Sequence, residues 1–311
     1  MSLIPAALAP GSTIGIVCVD APEPAQFGDR FDAGIATLES LGYTVTVAEH
    51  TRGRDGFHAA PAGAVVSDLH KLFADPTVGA IICAGGGITA NRLLPLLDFE
   101  LIEANPTIFM GASSPTVLLN AISARTGLVT FHGPSVVWDF GDDDQPQASV
   151  DSFQAAVRGE TNLTAPLTDW LRPGTATGTL LGGNLGSLLQ LLGTDYVPDF
   201  TGAILAWEEI GSDAAHIAAN LIQLDQHGVL DKLVGLVVGD LVDCKPSDGV
   251  AVSEVVLDVC KDRFPIATGL PFGHTSLKYT LPIGASVTID ADAGTLVATG
   301  AVVATRTVVG S

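Results

Sequence analysis

The stretch Thr107-Ile-Phe-Met-Gly111-Ala-Ser113-Ser-Pro115-Thr-Val-Leu-Leu119 decides how this chain folds. Four residues suited to a buried strand run into Gly111. Ser114 is a good helix N-cap, and Pro115 fits the first helical position, where its missing N–H is harmless. An apolar helix over Pro115–Ala124 follows. Ser113 is thus predicted on a sharp turn from strand to helix, with its hydroxyl exposed above the carboxyl edge of a sheet. Backbone N–H groups and the positive end of the helix converge on the same point and favour developing negative charge there. The Gly-x-Ser-x-Gly pattern of a nucleophile elbow is absent, but the mechanics are the same.

The surrounding sequence repeats this alternation. Thr13–Val19, Thr44–Ala48, Val78–Cys83 and Thr107–Met110 are strand-like runs. Between them Phe31, Ile35, Leu38 and Leu41 recur at helical spacing, as do Val65, Val66, Leu69, Leu72 and Phe73. Such alternation predicts an α/β fold with a doubly wound parallel sheet over residues 1–155. Prolines 146, 166 and 173 and Asp142–Asp144 then break the pattern. Residues 156–174 are expected to form a linker. A β-rich second domain is expected over 175–311, with strands at Ala203–Trp207, Leu233–Val238 and Ser286–Ile289. The active site is expected in the cleft between the two domains.

A formal net charge of −20 repels phosphate backbones and anionic membrane faces, so nucleic acid and membrane are not expected as partners. No apolar run reaches the roughly 18–20 residues of a membrane helix. The opening MSLIPAALAPG lacks a basic segment and has an early Pro5, so a cytoplasmic location is expected. Cys18, Cys83, Cys244 and Cys260 are far apart, without Cys-x-x-Cys spacing, and read as free thiols. Asp142–Asp144 and Asp290–Asp292 lack the partners of a metal site and read as solvated loops.

A serine nucleophile needs a base. Among seven histidines, His274 stands in the turn-rich segment Gly269-Leu-Pro-Phe-Gly-His-Thr-Ser, and His132, before Gly133-Pro134, is its rival. A base needs an orienting carboxylate. Glu208 and Glu209 end the apolar run Ala203–Trp207, where a buried acid is costly unless partnered.

Together these segments resemble the LD-carboxypeptidase family of serine peptidases, over nearly the whole chain. The motifs that carry the resemblance are Gly111-Ala-Ser-Ser-Pro-Thr, Gly182-Gly-Asn-Leu185, Ile204-Leu-Ala-Trp-Glu-Glu209, Gly273-His274 and Leu281-Pro-Ile-Gly284. The resemblance implies Ser113 as nucleophile, His274 as general base and Glu208 as the group orienting the imidazole. It implies acyl transfer to and from Ser113, with the oxyanion held by the backbone N–H groups of Ser114 and Gly87. No metal or organic cofactor is expected, and a homodimer is. One departure stands beside the nucleophile: Ser114 replaces the family's Asp. A catalytically degenerate peptide-binding protein of the same fold is therefore the alternative.

Gly85-Gly-Gly-Ile-Thr-Ala90 also fits a loose dinucleotide pattern, but it does not close the first strand and no acid ends the next one. Close backbone approach to a substrate suits it better. Substrate contacts are expected from Gly86, Asn91 and Asn184, with Arg92 a further candidate cation. The family contains murein tetrapeptide carboxypeptidases and microcin C immunity peptidases. A small peptide or an aminoacyl-adenylate-like molecule is the expected substrate. Gly86-Gly-Ile-Thr-Ala-Asn91 and Thr130-Phe-His-Gly-Pro134 resemble the immunity branch. The short segment between Phe140 and Gly178 departs from it, as does the lack of a Lys or Arg shortly after Glu208. Trp138 and Trp170 are the candidate aromatic surfaces for an adenine ring.

Overall fold

The computed structural model describes residues 2–159 and 163–304. In chain order its first part holds β1 (Thr13–Val17), α1 (Glu23–Gln26), α2 (Gly28–Ser40), β2 (Thr44–Val47), α3 (Ala62–Ala74), β3 (Val78–Cys83), α4 (Phe99–Ala104), β4 (Ile108–Gly111), α5 (Thr116–Thr126), β5 (Thr130–His132) and α6 (Gln147–Arg158). A 3₁₀ helix, Ala90–Leu96, follows the glycine loop. The second part holds β6 (Thr164–Pro166), β7 (Asp169–Arg172), β8 (Thr175–Asn184), α7 (Leu185–Leu189), β9 (Ala203–Ile210), α8 (Ala214–Gln226), β10 (Gly235–Val242), α9 (Val252–Cys260), β11 (Ile266–Thr268), β12 (Leu281–Ile283), β13 (Ser286–Asp290) and β14 (Thr295–Ala298).

The first sheet has the order β12-β5-β4-β3-β1-β2. β1 to β5 run parallel, and β4 is buried at every position because helices cover both faces. The chain winds outward from β1 to β2, then returns past β1 to β3. The strand order therefore reverses between β1 and β3, and the crevice outside their carboxyl ends is where ligands bind in open α/β sheets. Asp20 and Glu23 follow β1, and Gly85–Gly87 follow β3, at that crevice.

The second sheet has the order β6-β14-β13-β8-β9-β10-β11-β7. Its centre, β8 to β11, is parallel, and its flanks are antiparallel. α8 and α9 pack against each other on this unit, so a mixed α/β layer accompanies its strands. The expected linker is corrected here. α6 runs to Arg158, and β6 and β7 supply the two outermost strands of the second sheet. Edge strands of three or four residues carry too little periodicity to stand out between prolines.

The two parts are joined by more than the chain. β12, from the second part, pairs antiparallel with β5 and becomes an edge of the first sheet. Asn120 of α5 donates to the carbonyl of Gly182 at 2.8 Å and accepts its N–H at 3.0 Å, tying the helix after Ser113 to β8.

Candidate active site

Ser113 leaves β4 with φ +65, in the left-handed region that a residue with a Cβ rarely adopts. Such strain is kept where surrounding structure enforces it. Here Thr116 N–H donates to Ser113 C=O at 2.9 Å and Val117 N–H to Ser114 C=O at 3.1 Å, locking the turn. The expected capping is corrected: Pro115 is the N-cap, and the Ser114 hydroxyl is fully buried with no partner among the described residues. The left-handed turn at Ser113 starts α5 one residue later than sequence spacing suggests.

Ser113 opens on a cavity of about 540 Å³. The first part of the chain contributes Glu23, Arg30, Gly85–Gly87, Trp138 and Asp139 to its lining; the second contributes Ile210 and the segment Gly273–Ser276 with Lys278. His274 is among them. Its Nδ1 lies 2.8 Å from Glu208 Oε2. Glu208 is fully buried at the carboxyl end of β9, its other oxygen without a partner among the described residues. Gly273 has φ +106, and a Cβ there would collide with the Glu208 carboxylate. Glycine is thus required for the carboxylate to reach His274. Among the described residues no hydrogen bond joins Ser113 to His274, although both line the same cavity. Asp240 borders this loop. Burial pushes its carboxyl above the usual range, against a lowering bond from Thr275.

The glycine loop is held on all sides. Gly86 N–H donates to Glu23 Oε2 at 2.9 Å, and Gly86 C=O accepts Ala21 N–H at 3.0 Å. Thr89 N–H and hydroxyl both bond Asp20, each at 2.6 Å. Gln190, from the second part, donates to Ile88 C=O at 2.9 Å. A Cβ on Gly86 would lie 2.8 Å from Ser113 Cβ and 3.0 Å from its Oγ, so this glycine admits the close approach. Gly87 has φ +143, and its N–H and that of Ser114 donate to no acceptor among the described residues.

Other expectations divide. His132 is completely buried on β5, outside the cavity lining, with its ring edge-on to Phe272 at 5.3 Å and neither nitrogen partnered among the described residues. Burial lowers its pKa to about 4, overriding the upward pull of Glu208. Asn184 does not line the cavity. Its amide is committed to capping α7 through Ser187 at 3.0 Å and to Glu209 at 3.2 Å. Asn91 is exposed in the 3₁₀ helix, away from the cavity lining. Arg92 also lies outside that lining and donates to Ala60 C=O at 3.0 Å. Trp170 is on β7 at the edge of the second sheet, whereas Trp138 lines the cavity. Trp138 packs on Phe27 with centroids 4.8 Å apart and under the Arg30 guanidinium at 5.2 Å. Asp142, expected as solvated, pairs with Arg30 at 2.9 Å and lines the cavity. All four cysteines are free, and burial pushes the Cys18 thiol up to about 12. Glu49, His50 and Asp68 hold three donor atoms within 4.8 Å of one another, but Glu49 is already paired with Lys71 and the group lies outside the cavity lining.

Comparison with known proteins gives the family. The model of the LD-carboxypeptidase N-terminal domain matches residues 14–133, and that of the C-terminal domain matches 177–289. The chain belongs to the LD-carboxypeptidase family. A probable murein peptide carboxypeptidase of Bacillus subtilis is 34% identical over 92% of this chain and 91% of its own. The microcin C7 self-immunity protein MccF of Escherichia coli is 29% identical over 93% of this chain and 94% of its own. The structure of MccF in complex with aspartyl sulfamoyl adenosine superposes with a TM-score of 0.90 at 27% identity, covering 97% of this chain and all of that one. This member of the LD-carboxypeptidase family therefore has its two-domain α/β architecture, and several of its relatives are named as carboxypeptidases.

Several lining residues escaped the sequence reading of this LD-carboxypeptidase family member, Glu23, Arg30, Asp139 and Lys278 among them. Burial raises the Glu23 carboxyl, opposed by bonds from the Trp138 side chain and Gly86 N–H. Glu23 had a signal in hindsight, since it follows the first strand at the switch point. Asp139 and Lys278 had none, because only the docking of the second part brings them together.

Proposed function

We propose that this chain is a serine-type amide hydrolase that releases a terminal residue from a short peptide through an acyl-enzyme on Ser113. The observation that carries it is the convergence, on one cavity, of a serine held at φ +65 and a histidine whose Nδ1 is engaged by a buried carboxylate. With Nδ1 taken, Nε2 is the nitrogen left to accept the Ser113 proton. Ser113 Oγ then bonds to the amide carbon, the C–N bond breaks, and His274 returns the proton to the departing amine. Water, deprotonated by the same nitrogen, releases the acyl group and restores the hydroxyl. Glu208 keeps the imidazole in one tautomer and stabilises its protonated form. The N–H groups of Ser114 and Gly87, without acceptors among the described residues, are assigned to the carbonyl oxygen as it gains charge.

The identities of the relatives support a murein-type peptide first. A second substrate class, an aminoacyl nucleotide, is favoured by Trp138, an aromatic surface 41% exposed at the cavity. Stacking on it would be worth about 0.5–1.5 kcal/mol.

A fluorophosphonate should label Ser113 in the folded protein, and Ser113→Ala should abolish labelling. His274→Ala should slow it by at least about a hundredfold, within the usual contribution of a general base. A folded chain that resists labelling would instead be a peptide-binding protein, the alternative raised by Ser114. Mass spectrometry of separate incubations with a murein tetrapeptide and with aspartyl sulfamoyl adenosine then identifies the substrate class by which one is cleaved.

A further inference from the structure

The wall of the cavity holds a cation with binding capacity to spare. Lys278 is buried, its side chain 6% exposed, and its Nζ lies 2.6 Å from Asp139 Oδ1, which is equally buried. Both residues line the cavity with Ser113 and His274. An ammonium carries three donors, and among the described residues Asp139 is the one acceptor that Lys278 has. Asp139 is better served. Its Oδ2 accepts Ser135 N–H at 2.7 Å and the Ser135 hydroxyl at 2.8 Å, so its charge is already shared among donors. A desolvated ammonium with open donors is costly unless an anion completes its shell.

Its position is fixed relative to the histidine. Lys278 N–H donates to Ser149 Oγ on α6 at 2.8 Å, and that hydroxyl donates to Ser276 C=O at 3.1 Å. The segment from His274 to Lys278 is thereby stapled to the first part of the molecule. The other lining cation, Arg30, is spent at the rim: it pairs with Asp142 and covers Trp138, with over a third of its side chain in solvent.

We propose that Lys278 determines specificity by receiving the substrate's C-terminal carboxylate, close to the bond to be cut. The proposal rests on Ser113 acyl transfer and adds to it a reason for cutting only at a chain end. An internal peptide bond or an amidated terminus would leave the Lys278 ammonium buried without its second anion. A phosphoryl group carries the same charge, and the test separates the two.

The experiment compares the full chain with its Lys278→Met and Lys278→Arg variants on two substrates: a peptide ending in an L-centre followed by D-Ala, and the same peptide with a C-terminal amide. Near-ultraviolet circular dichroism reports that each variant is folded. The wild type should favour the free acid. Lys278→Met should raise KM for the acid at least about tenfold, with a smaller effect on kcat, and remove the preference over the amide. Lys278→Arg should recover part of that preference. Equal losses on both substrates, or no change on either, would reduce Lys278 to a structural tie and overturn the proposal. Competition by adenosine monophosphate that exceeds competition by acetyl-D-alanine in the wild type, and is lost in Lys278→Met, would overturn the carboxylate in favour of a phosphoryl group. If the wild type cleaves neither peptide, acyl transfer has failed separately. Calorimetric binding of acid against amide then tests Lys278 alone, and equal affinities in the wild type would sink it.

Discussion

At the scale of single residues, the site depends on what is missing as much as on what is present. Gly86 has no side chain where any other residue would press on Ser113. Gly86→Ala must push the serine or the loop by several tenths of an ångström. Small misplacements of reacting groups cost on the order of a hundredfold. The variant should lose about that much in kcat/KM while its Tm moves by only a few degrees, read by kinetics and calorimetry side by side. Activity within a factor of three of the wild type would show that Ser113 is not seated against this loop. His132 makes a different demand. Its native pKa is about 4, below the ordinary 6.5, so the folded state disfavours its proton. Its contribution is therefore complete above the unfolded pKa and is lost as pH falls from about 6.5 towards 4, by on the order of 3 kcal/mol. His132→Phe, which keeps the packing on Phe272, should flatten the urea-derived stability curve in that window relative to the wild type. Parallel curves would mean that His132 is solvated. The convergence of Ser113, His274 and Glu208 was legible because each lies in a short motif with its own local logic. Asn184 caps α7 with its side chain, a commitment that the Gly-Gly-Asn-Leu motif does not announce. Lys278 and Asp139 could not be read from spacing, as their pairing depends on two distant segments meeting.

At the scale of elements, the turn into α5 is the piece on which the rest converges. Its strand, its sharp turn and its helix were readable from thirteen consecutive residues, while the left-handed backbone of Ser113 and the capping position it shifts were not. The tie that keeps this helix against the second sheet was not readable. Asn120 fills both backbone groups of Gly182, where φ is +128 and a side chain would strike Ala206. Asn120→Leu retains volume but strands a buried N–H and a buried C=O, each worth about 1–3 kcal/mol. Unfolding in urea should show a loss of about 2–4 kcal/mol with the slope unchanged, since the surface exposed on unfolding stays the same. A loss below about 1 kcal/mol would show that water replaces the amide at little cost. The short edge strands β6 and β7 were taken for a linker because their partners β14 and β11 lie far along the chain. Edge strands are specified by what they dock against more than by their own composition.

At the scale of the whole molecule, the parallel, doubly wound character of the first sheet was legible from alternation alone, while its strand order was not. Nor was its sixth strand, since it arrives from a segment read as belonging elsewhere. That visitor, β12, has a consequence for how the protein is made. β5 emerges from the ribosome with one flank bare, and its partner Leu281–Ile283 is still untranslated. At about 5–20 residues per second the wait is roughly seven to thirty seconds. Throughout it, the nascent first half displays a row of unpaired backbone groups beside a fully buried strand, the kind of surface that neighbouring chains on a polysome can extend. The last segments of the chain also return to the first: Ala304 exchanges backbone bonds with Ala7 and Pro5 at 2.8 and 2.7 Å. The first part of the molecule is therefore completed by segments translated long after it. A ribosome that stalls in the second half releases not one sound domain and one fragment, but a sheet still waiting for its last strand.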